Sequence, residues 1–316
     1  MSDCWSTLSQ ETILSAVESV MTQPLANLVI QRNSYINRVY ELITKETRQP
    51  LIAKFYRPNR WTKQQILEEH LFLLKASQLE IPVIEPLIFG HQTLFSVGDI
   101  FFALFPKKGG RALDEFDKEG WITLGRLLGR FHALSQTQTT SSRLRWDPQK
   151  ATKKHLDILF SGQHMSQEYR TSLENSLTPL HKNTHLFSKE PYFLIHGDCH
   201  KGNLIHRPEE GIYLIDFDDC ALGPAIQDLW MLLPGTAQES QQEINWFLEG
   251  YRIFKDFNPT SLKLLPYLTV MRIIHFASWC ALQSNDVGFK EKFSEWGTTQ
   301  YWNGTIREIQ KVLTEE

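Results

Sequence analysis

The stretch Phe193–Asp219, FLIHGDCHKGNLIHRPEEGIYLIDFDD, constrains this chain more than any other. It holds two short apolar runs, Phe193–Ile195 and Ile212–Ile215, and each leads into an acidic cluster. A strand that delivers a carboxylate at its exit places acid on a rigid support, so both runs are expected as strands. Asp198 and Asn203 lie five residues apart between them, and the second run exits at Asp216. Asp, Asn and Asp offer hard oxygen ligands and no thiolate cage, which suits magnesium with a phosphate better than zinc. The chemistry to which this stretch is suited is phosphoryl transfer.

A chain of 316 residues and 36.8 kDa can bury a substantial core and is expected to divide into two lobes or domains. Its 41% hydrophobic and 22% charged residues are ordinary for a soluble globular protein. The net charge of −3 argues against a general nucleic-acid coat, so no nucleic-acid partner is expected. The interval Gln31–Lys63 nevertheless carries eight Lys or Arg against two Glu, which fits a solvated face as well as a few functional cations. The four cysteines, Cys4, Cys199, Cys220 and Cys280, lie far apart without CxxC spacing and read as reduced thiols of a cytoplasmic protein. The start, MSDCWSTLSQETILSAVESV, lacks the basic beginning and unbroken apolar core of a signal peptide. Leu262–Leu282 is apolar but contains Lys263, Pro266, Arg272 and His275, so it is expected as a buried helix and not as a membrane span.

In chain order, Ser9-Gln10-Glu11-Thr12 precedes an amphipathic run through Ile13, Leu14, Val17 and Val20, a capped helix that Pro24 ends. From Leu28 the alternation and the β-branched content predict two strands around a polar turn at Arg32–Asn37, then a third strand at Pro50–Tyr56. Lys54 lies inside that apolar strand, where an ammonium is costly unless it meets an anion; a lysine snorkelling from an edge strand is the blander reading. Thr62–Ser77 has helical spacing and carries Glu68 and Glu69, either of which could turn toward Lys54. Ile81–Gly90 reads as a strand entry with proline punctuation, and Thr93–Val97 with Ile100–Phe105 as a hairpin around Gly98-Asp99. Pro106–Gly110 is the linker candidate, giving lobes at 1–105 and 111–316. Beyond it the chain is mostly helical: Trp121–Ser135, a polar loop at Gln136–Ser142, helices within Lys154–Thr178, then GPAIQDLWMLL, Glu243–Phe254, Leu262–Leu282 and Phe293–Leu313.

Transfer of a γ-phosphoryl group needs a cation on the phosphates, metal bridging their oxygens, and an aspartate to orient the attacking hydroxyl and take its proton. Lys54 fits the first role, Asn203 and Asp216 the second, and Asp198 the third. The pattern His196-x-Asp198-x-x-x-x-Asn203 followed by Asp216 resembles the catalytic and metal-binding loops of the protein kinase-like superfamily. HGDCHKGN and IDFDD look like the versions in aminoglycoside phosphotransferases and choline kinases. NSYINRVYEL, AKFYRPNRWTKQQILEEH, FPKKGGR, LGRLLGRFH, HGDCHKGNL and GPAIQDLWMLL together resemble the bacterial stress response kinase A family, from about Asn33 to Leu233.

That resemblance implies an α+β, bilobal protein kinase-like fold with a small, mostly β N-lobe and a larger, mostly α C-lobe. It implies ATP- and magnesium-dependent phosphorylation of protein serine or threonine, autophosphorylation, and a role in stress responses; a monomer is expected. Carried across, Asp198 is the proton acceptor, Asn203 and Asp216 bind magnesium, and Lys54 holds the ATP phosphates, paired with Glu69 in preference to Glu68. Ser34 takes the place of the phosphate-covering loop, and Phe105–Lys107 forms the hinge that holds adenine. The GxGxxG loop of ordinary protein kinases is absent, so Ser34 and its neighbouring N–H groups would meet phosphate without glycine's close approach.

Other residues in these loops have plainer readings. His196 is expected to brace the catalytic loop, Asp228 to anchor it, and Cys199 to be a small packed residue and not a redox sensor. His200 fits a contact to phosphate or metal as well as loop stabilisation. Asp218 and Asp219 could assist the metal or turn the loop. The rival function is a small-molecule kinase of the same fold, acting on an aminoglycoside, choline, homoserine or a sugar; the catalytic residues are the same for both. The C-terminal helices offer no dense acidic block for a cationic acceptor, which favours a protein substrate. A pseudokinase scaffold is opposed by the complete set Lys54, Asp198, Asn203 and Asp216, and a metal-dependent hydrolase would not need Lys54.

Overall fold

Leu51, Ala53 and Phe55 are buried along β3 (Pro50–Phe55) and alternate with the half-buried Ile52 and Lys54, which fixes the two faces of the first sheet. In the computed structural model, which describes residues 5–113, 115–138, 142–162, 164–286 and 288–314, this strand is the centre of an antiparallel five-stranded sheet. The order is β1 (Ile30–Arg32), β2 (Arg38–Ile43), β3, β5 (Ile100–Pro106) and β4 (Phe95–Val97). Helix α1 (Gln10–Met21) closes one face, with Ile13 and Val17 packed in a cluster with Leu42, Leu51, Phe55 and Phe102. Ser9 caps it by accepting from the Thr12 N–H, as its sequence leads one to expect.

Helix α2 (Lys63–Gln78) starts at a reciprocal capping box between Thr62 and Gln65. Its Phe72, Leu73 and Ala76 belong to the core of the second lobe, and the Phe72 ring lies 5.1 Å from that of Phe131. Residues 81–90, expected as a strand entry, form no ladder; Val83 makes a single parallel bridge to Leu214. Pro82 and Pro86 have no N–H to donate to a ladder, and Pro82 instead accepts from Leu214 N at 3.0 Å.

The second lobe is built on α3 (Lys118–Gln136), with α4 (Lys153–Ser161), α5 (Gln167–Ser176), α6 (Thr178–Lys182) and α7 (Thr184–Phe187) following it. Two small ribbons come next: β6 (Phe193–Ile195) with β9 (Ala221–Gly223), and β7 (Leu204–Arg207) with β8 (Gly211–Leu214). The two apolar runs are thus strands β6 and β8; β7 and β9 were not anticipated. GPAIQDLWMLL yields only a short helix, α8 (Gln227–Trp230), followed by turns. The chain then forms α9 (Gln241–Tyr251), α10 (Leu265–Gln283), α11 (Phe289–Lys292) and α12 (Thr299–Thr314). The last helix starts at Thr299 and not near Phe293, after a turn in which Gly297 takes φ +83°. One helical segment among the described residues, Pro259–Gln283, is long and apolar enough to cross a membrane, yet 61% of its apolar window is buried in the core. Cys4 and residues 139–141 of the expected polar loop lie outside the described residues.

The architecture is α+β, a small mostly β lobe followed by a larger mostly helical one. Helices α3 and α9 meet backbone to backbone. A Cβ added at Gly125 would fall 2.0 Å from the Phe247 carbonyl oxygen, and one at Gly250 would fall 2.0 Å from that of Ile122. Gly125→Ala and Gly250→Ala are therefore expected to destabilise the protein by about 1–3 kcal/mol in urea unfolding. Helix propensity alone would stabilise each variant by roughly 1 kcal/mol, so the sign of the change decides.

Candidate active site

Between the lobes lies a cavity of about 650 Å³, lined from above by Ser34, Lys54, Glu69, Phe105 and Lys107 and from below by Asp198, Asp216 and Asp218. Of the residues singled out in the sequence, Asn203 does not line it; it is buried just behind, where its Nδ2 donates to the Asp198 carbonyl at 2.9 Å.

The loop carrying Asp198 is fastened by one buried carboxylate. Asp228, on α8, accepts from the backbone N–H of His196 at 2.7 Å and of Gly197 at 2.8 Å, and is 3.0 Å from His132 Nε2. His196 donates from Nε2 to the Ile215 carbonyl at 2.8 Å, tying this loop to the one that begins at Asp216. Gly197 takes φ +80°, and a Cβ there would sit 2.3 Å from the Asp219 carbonyl oxygen, so the turn requires glycine. Cys199 is fully buried; burial, then Asp228 and Asp198, push its thiol well above the ordinary range, the environment of an unreactive packed thiol.

Asp198 faces a guanidinium and an imidazole. Arg272 Nη2 of α10 forms an ion pair with its Oδ1 at 2.6 Å, and His200 Nε2 lies 3.6 Å from Oδ2. Burial works to raise the Asp198 pKa, but His200 and Arg272 outweigh it and hold the carboxyl below its usual value. His200 also accepts from the Gly202 N–H through Nδ1 at 3.0 Å. Asp216, whose side chain is 55% exposed, has φ +60°, a sparsely populated conformation that asparate-type side chains tolerate and that recurs at functional sites.

Lys54 does not pair with Glu69. Its ammonium meets Asp218 Oδ1 at 2.5 Å and Asp216 Oδ1 at 3.2 Å, and these carboxylates raise its pKa despite the opposing effect of burial. Glu69 turns inward, as favoured over Glu68, but its partner is the buried Arg143 at 3.0 Å. Arg143 also donates to the carbonyls of Asp218 at 2.8 Å and Gln65 at 2.7 Å, which explains why it, with its rigid fork of donors, holds Glu69. Burial and the nearby Asp218 raise the Glu69 pKa to about 7. Glu68 instead accepts from the Ser142 hydroxyl at 2.6 Å. Asp218 is the hub: it also accepts from the Asn37 amide and lies 3.6 Å from Arg60, which bonds Asp219 at 2.7 Å.

The donors present suit a hard cation shared with phosphate. With Asn203 Nδ2 committed to the Asp198 carbonyl, the amide oxygen is the end left for a metal, and Asp216 adds a half-exposed carboxylate. Among the described residues no group of three or more His, Cys, Asp or Glu could hold a metal ion alone. Magnesium commonly takes one or two protein oxygens and completes its shell with phosphate and water, so the set fits it.

Sequence reasoning passed over Arg143; it placed Asn37 in a polar turn and Arg60 in a basic interval without giving either a role. It noted Asp218 without its central place, and noted Arg272 only as a charge that a bilayer would exclude. In each case the informative contact joins residues far apart in the chain.

Two lobes closing on a cavity with a lysine above and an Asp, Asn and Asp set below define a phosphotransferase of the protein kinase-like fold. A model of the phosphotransferase enzyme family (APH) matches residues 29–265, and the chain belongs to that family. A relative from Escherichia coli named stress response kinase A is 33% identical over 293 residues, covering 90% of this chain and 87% of the relative. One from Salmonella typhimurium, named serine/threonine protein kinase RdoA, is 32% identical over 322 residues, covering 98% and 94%. Among solved structures, the amicoumacin kinase hAmiN in complex with AMP-PNP, Ca2+ and Ami superposes with a TM-score of 0.77 at 19% identity, over 98% of this chain and 94% of that one. The choline kinase LicA from Streptococcus pneumoniae superposes with a TM-score of 0.65 at 19% identity, over 97% and 99%.

Lys54 and Arg60 outweigh burial and hold Asp218 at about 2, below its ordinary 3.8. A depressed carboxyl stabilises the fold above its unfolded pKa and loses that contribution as pH falls through the folded value. Between pH 4 and 2 the protein is therefore expected to lose on the order of 2 kcal/mol more stability than Asp218→Asn does, measured by denaturant unfolding at each pH. Parallel acid limbs for the two proteins would remove Asp218 from this role.

Proposed function

We propose that this chain is an ATP- and magnesium-dependent serine/threonine protein kinase that also phosphorylates itself and acts in a stress response. The observation that carries the reading is the convergence of Lys54, Asp198 and Asp216 on one cavity between the lobes, with Asn203 fixed directly behind Asp198. The names of the relatives, stress response kinase A and serine/threonine protein kinase RdoA, support the acceptor class and the setting.

The roles follow from position. Phe105 and Lys107 hold adenine through main-chain groups at a hinge of residues 106–110, between lobes 1–105 and 111–316. Ser34 and the backbone of its turn cover the phosphates. Lys54 exchanges part of its contact with Asp218 and Asp216 for phosphate oxygens, and Glu69 with Arg143 fixes the helix beneath it. Asn203 and Asp216 hold magnesium, which when bound supplies charge neutralisation on the phosphates. Asp198 orients the acceptor hydroxyl: the hydroxyl oxygen bonds to the γ-phosphorus, the bond to the bridging oxygen of ADP breaks, and the hydroxyl proton passes to the Asp198 carboxylate. A monomer in the cytoplasm completes the reading; the buried, unpaired Cys199, Cys220 and Cys280 suit a reducing compartment.

Purified protein with ATP and magnesium is expected to label itself and a generic protein substrate, and to release ADP faster with proteins than with choline, homoserine or aminoglycosides. Asp198→Ala is expected to lower transfer by about 100-fold or more while nucleotide binding persists. Asp216→Ala is expected to weaken magnesium-nucleotide binding. Equal labelling by the parent and Asp198→Ala would overturn the assigned base, and ADP release confined to one small molecule would overturn the protein acceptor.

A further inference from the structure

Helix α10 crosses the acceptor end of the cavity and turns Arg272, His275, Phe276 and Trp279 toward it, the spacing of a single helix face. Nothing in the transfer step above uses these side chains. Arg272 is held from two sides: its Nη2 meets Asp198 Oδ1 at 2.6 Å, and its Nη1 lies 3.2 Å from His275 Nδ1. Desolvation, helped by His155 and Arg272, holds the His275 pKa well below its ordinary value. The ring is therefore neutral and Nδ1 accepts from the guanidinium. Behind it, His275 stacks on His155 with centroids 4.5 Å apart and planes 16° from parallel. Arg272 is thus a braced cation beside Asp198, 25% exposed, with donors beyond those that face Asp198 and His275.

The carboxylates nearest it already face cations, with Asp219 on Arg60 at 2.7 Å and Asp216 on Lys54 at 3.2 Å. Asp198 is matched by Arg272, and Asp286 by Arg57 at 2.6 Å. The aromatic rings that could cage a quaternary ammonium are packed on one another: Tyr35 lies 5.3 Å from Trp279, which stacks on Phe276 at 5.9 Å. Lys292 already stands 5.1 Å from the Tyr35 ring centroid and adds positive charge at the same end.

We propose that Arg272 selects the acceptor, pairing with an anionic group beside the reacting hydroxyl, so that the preferred substrate is a serine or threonine with an acidic neighbour. The inference rests on the reading of Asp198 as the base and deepens it. With the acceptor site empty the guanidinium neutralises Asp198. A carboxylate or phosphate next to the hydroxyl takes up its remaining donors and aligns the hydroxyl on Asp198, a pairing that suits the planar guanidinium better than an ammonium.

The test uses matched serine peptides flanked by Asp or by Lys, together with glycerate and choline as a small anionic and cationic pair. Binding to the full-length protein loaded with AMP-PNP and magnesium is measured by calorimetry, and transfer from ATP by ADP release. The parent is expected to bind the anionic member of each pair about tenfold or more tighter. Arg272→Gln is expected to erase that preference with AMP-PNP affinity unchanged, and Arg272→Glu to reverse it. Equal binding of both members, tighter binding of the cationic ones, or a preference that survives in Arg272→Gln overturns the proposal; so does an equal loss for both classes in the variants. Anion-selective binding with transfer to glycerate and to no peptide supports the role of Arg272 while overturning the protein acceptor.

Discussion

A single buried carboxylate, Asp218, holds the two halves of the site in register. It stands in the second lobe, yet Lys54, Arg60 and Asn37, which neutralise or hydrogen-bond it, all come from the first. A buried charge without partners is strongly unfavourable, and removing one partner of such a pair typically costs about 3–5 kcal/mol. The apolar cores of the sheet and of the helical lobe are separate clusters, so they do not by themselves fix how Lys54 sits above Asp216. Helix α2 packs Ile66 with Tyr56, Leu94 and Ala103 of the upper lobe and places Phe72 and Leu73 in the lower core, while Glu69 reaches Arg143. The cavity floor is thus registered by charge and its rear wall by packing.

This arrangement gives Lys54 a place in the absence of nucleotide. An ammonium 12% exposed would be costly alone, and Asp218 with Asp216 supplies the countercharge. On the proposed reading, ATP brings phosphates that compete with these carboxylates for the same ammonium. Nucleotide binding and the grip between lobes are then coupled through one side chain, while Glu69 and Arg143 keep α2 fixed throughout.

How much of this was legible in the sequence depended on the range of the interactions. The strand around Lys54, the capped start of α1, the helical spacing of α2, and the two strands that flank Asp198 and Asp216 all rest on periodicity and capping within a few residues. They appear in the structure nearly as read. The resemblance supplied the lobed fold. The pairing of Lys54 with Glu69 failed because Arg143, 74 residues beyond Glu69, binds it first, and no local pattern announces that contact. Residues 81–90 form no ladder because Pro82 and Pro86, read as punctuation, remove two of the donors a strand would need. Arg272 was visible as a cation in an apolar run, but the carboxylate it faces is on another element.

The acceptor is the property that neither fold nor catalytic loop specifies. Solved structures as different in their named substrates as an amicoumacin kinase and a choline kinase superpose over nearly the whole chain, at 19% identity in each case. The parts that act on the phosphoryl group need not change with the acceptor, because the developing charge is the same in each. What can change is the wall opposite, built here by the side chains of α10 and by Tyr35 from the upper lobe. Arg272 stands in that wall against Asp198, so on the proposed reading an acceptor reaching Asp198 has to be compatible with a fixed guanidinium. On the proposed reading, specificity in this chain is set by the face of one helix, and substrate inference drawn from overall shape alone would look in the wrong place.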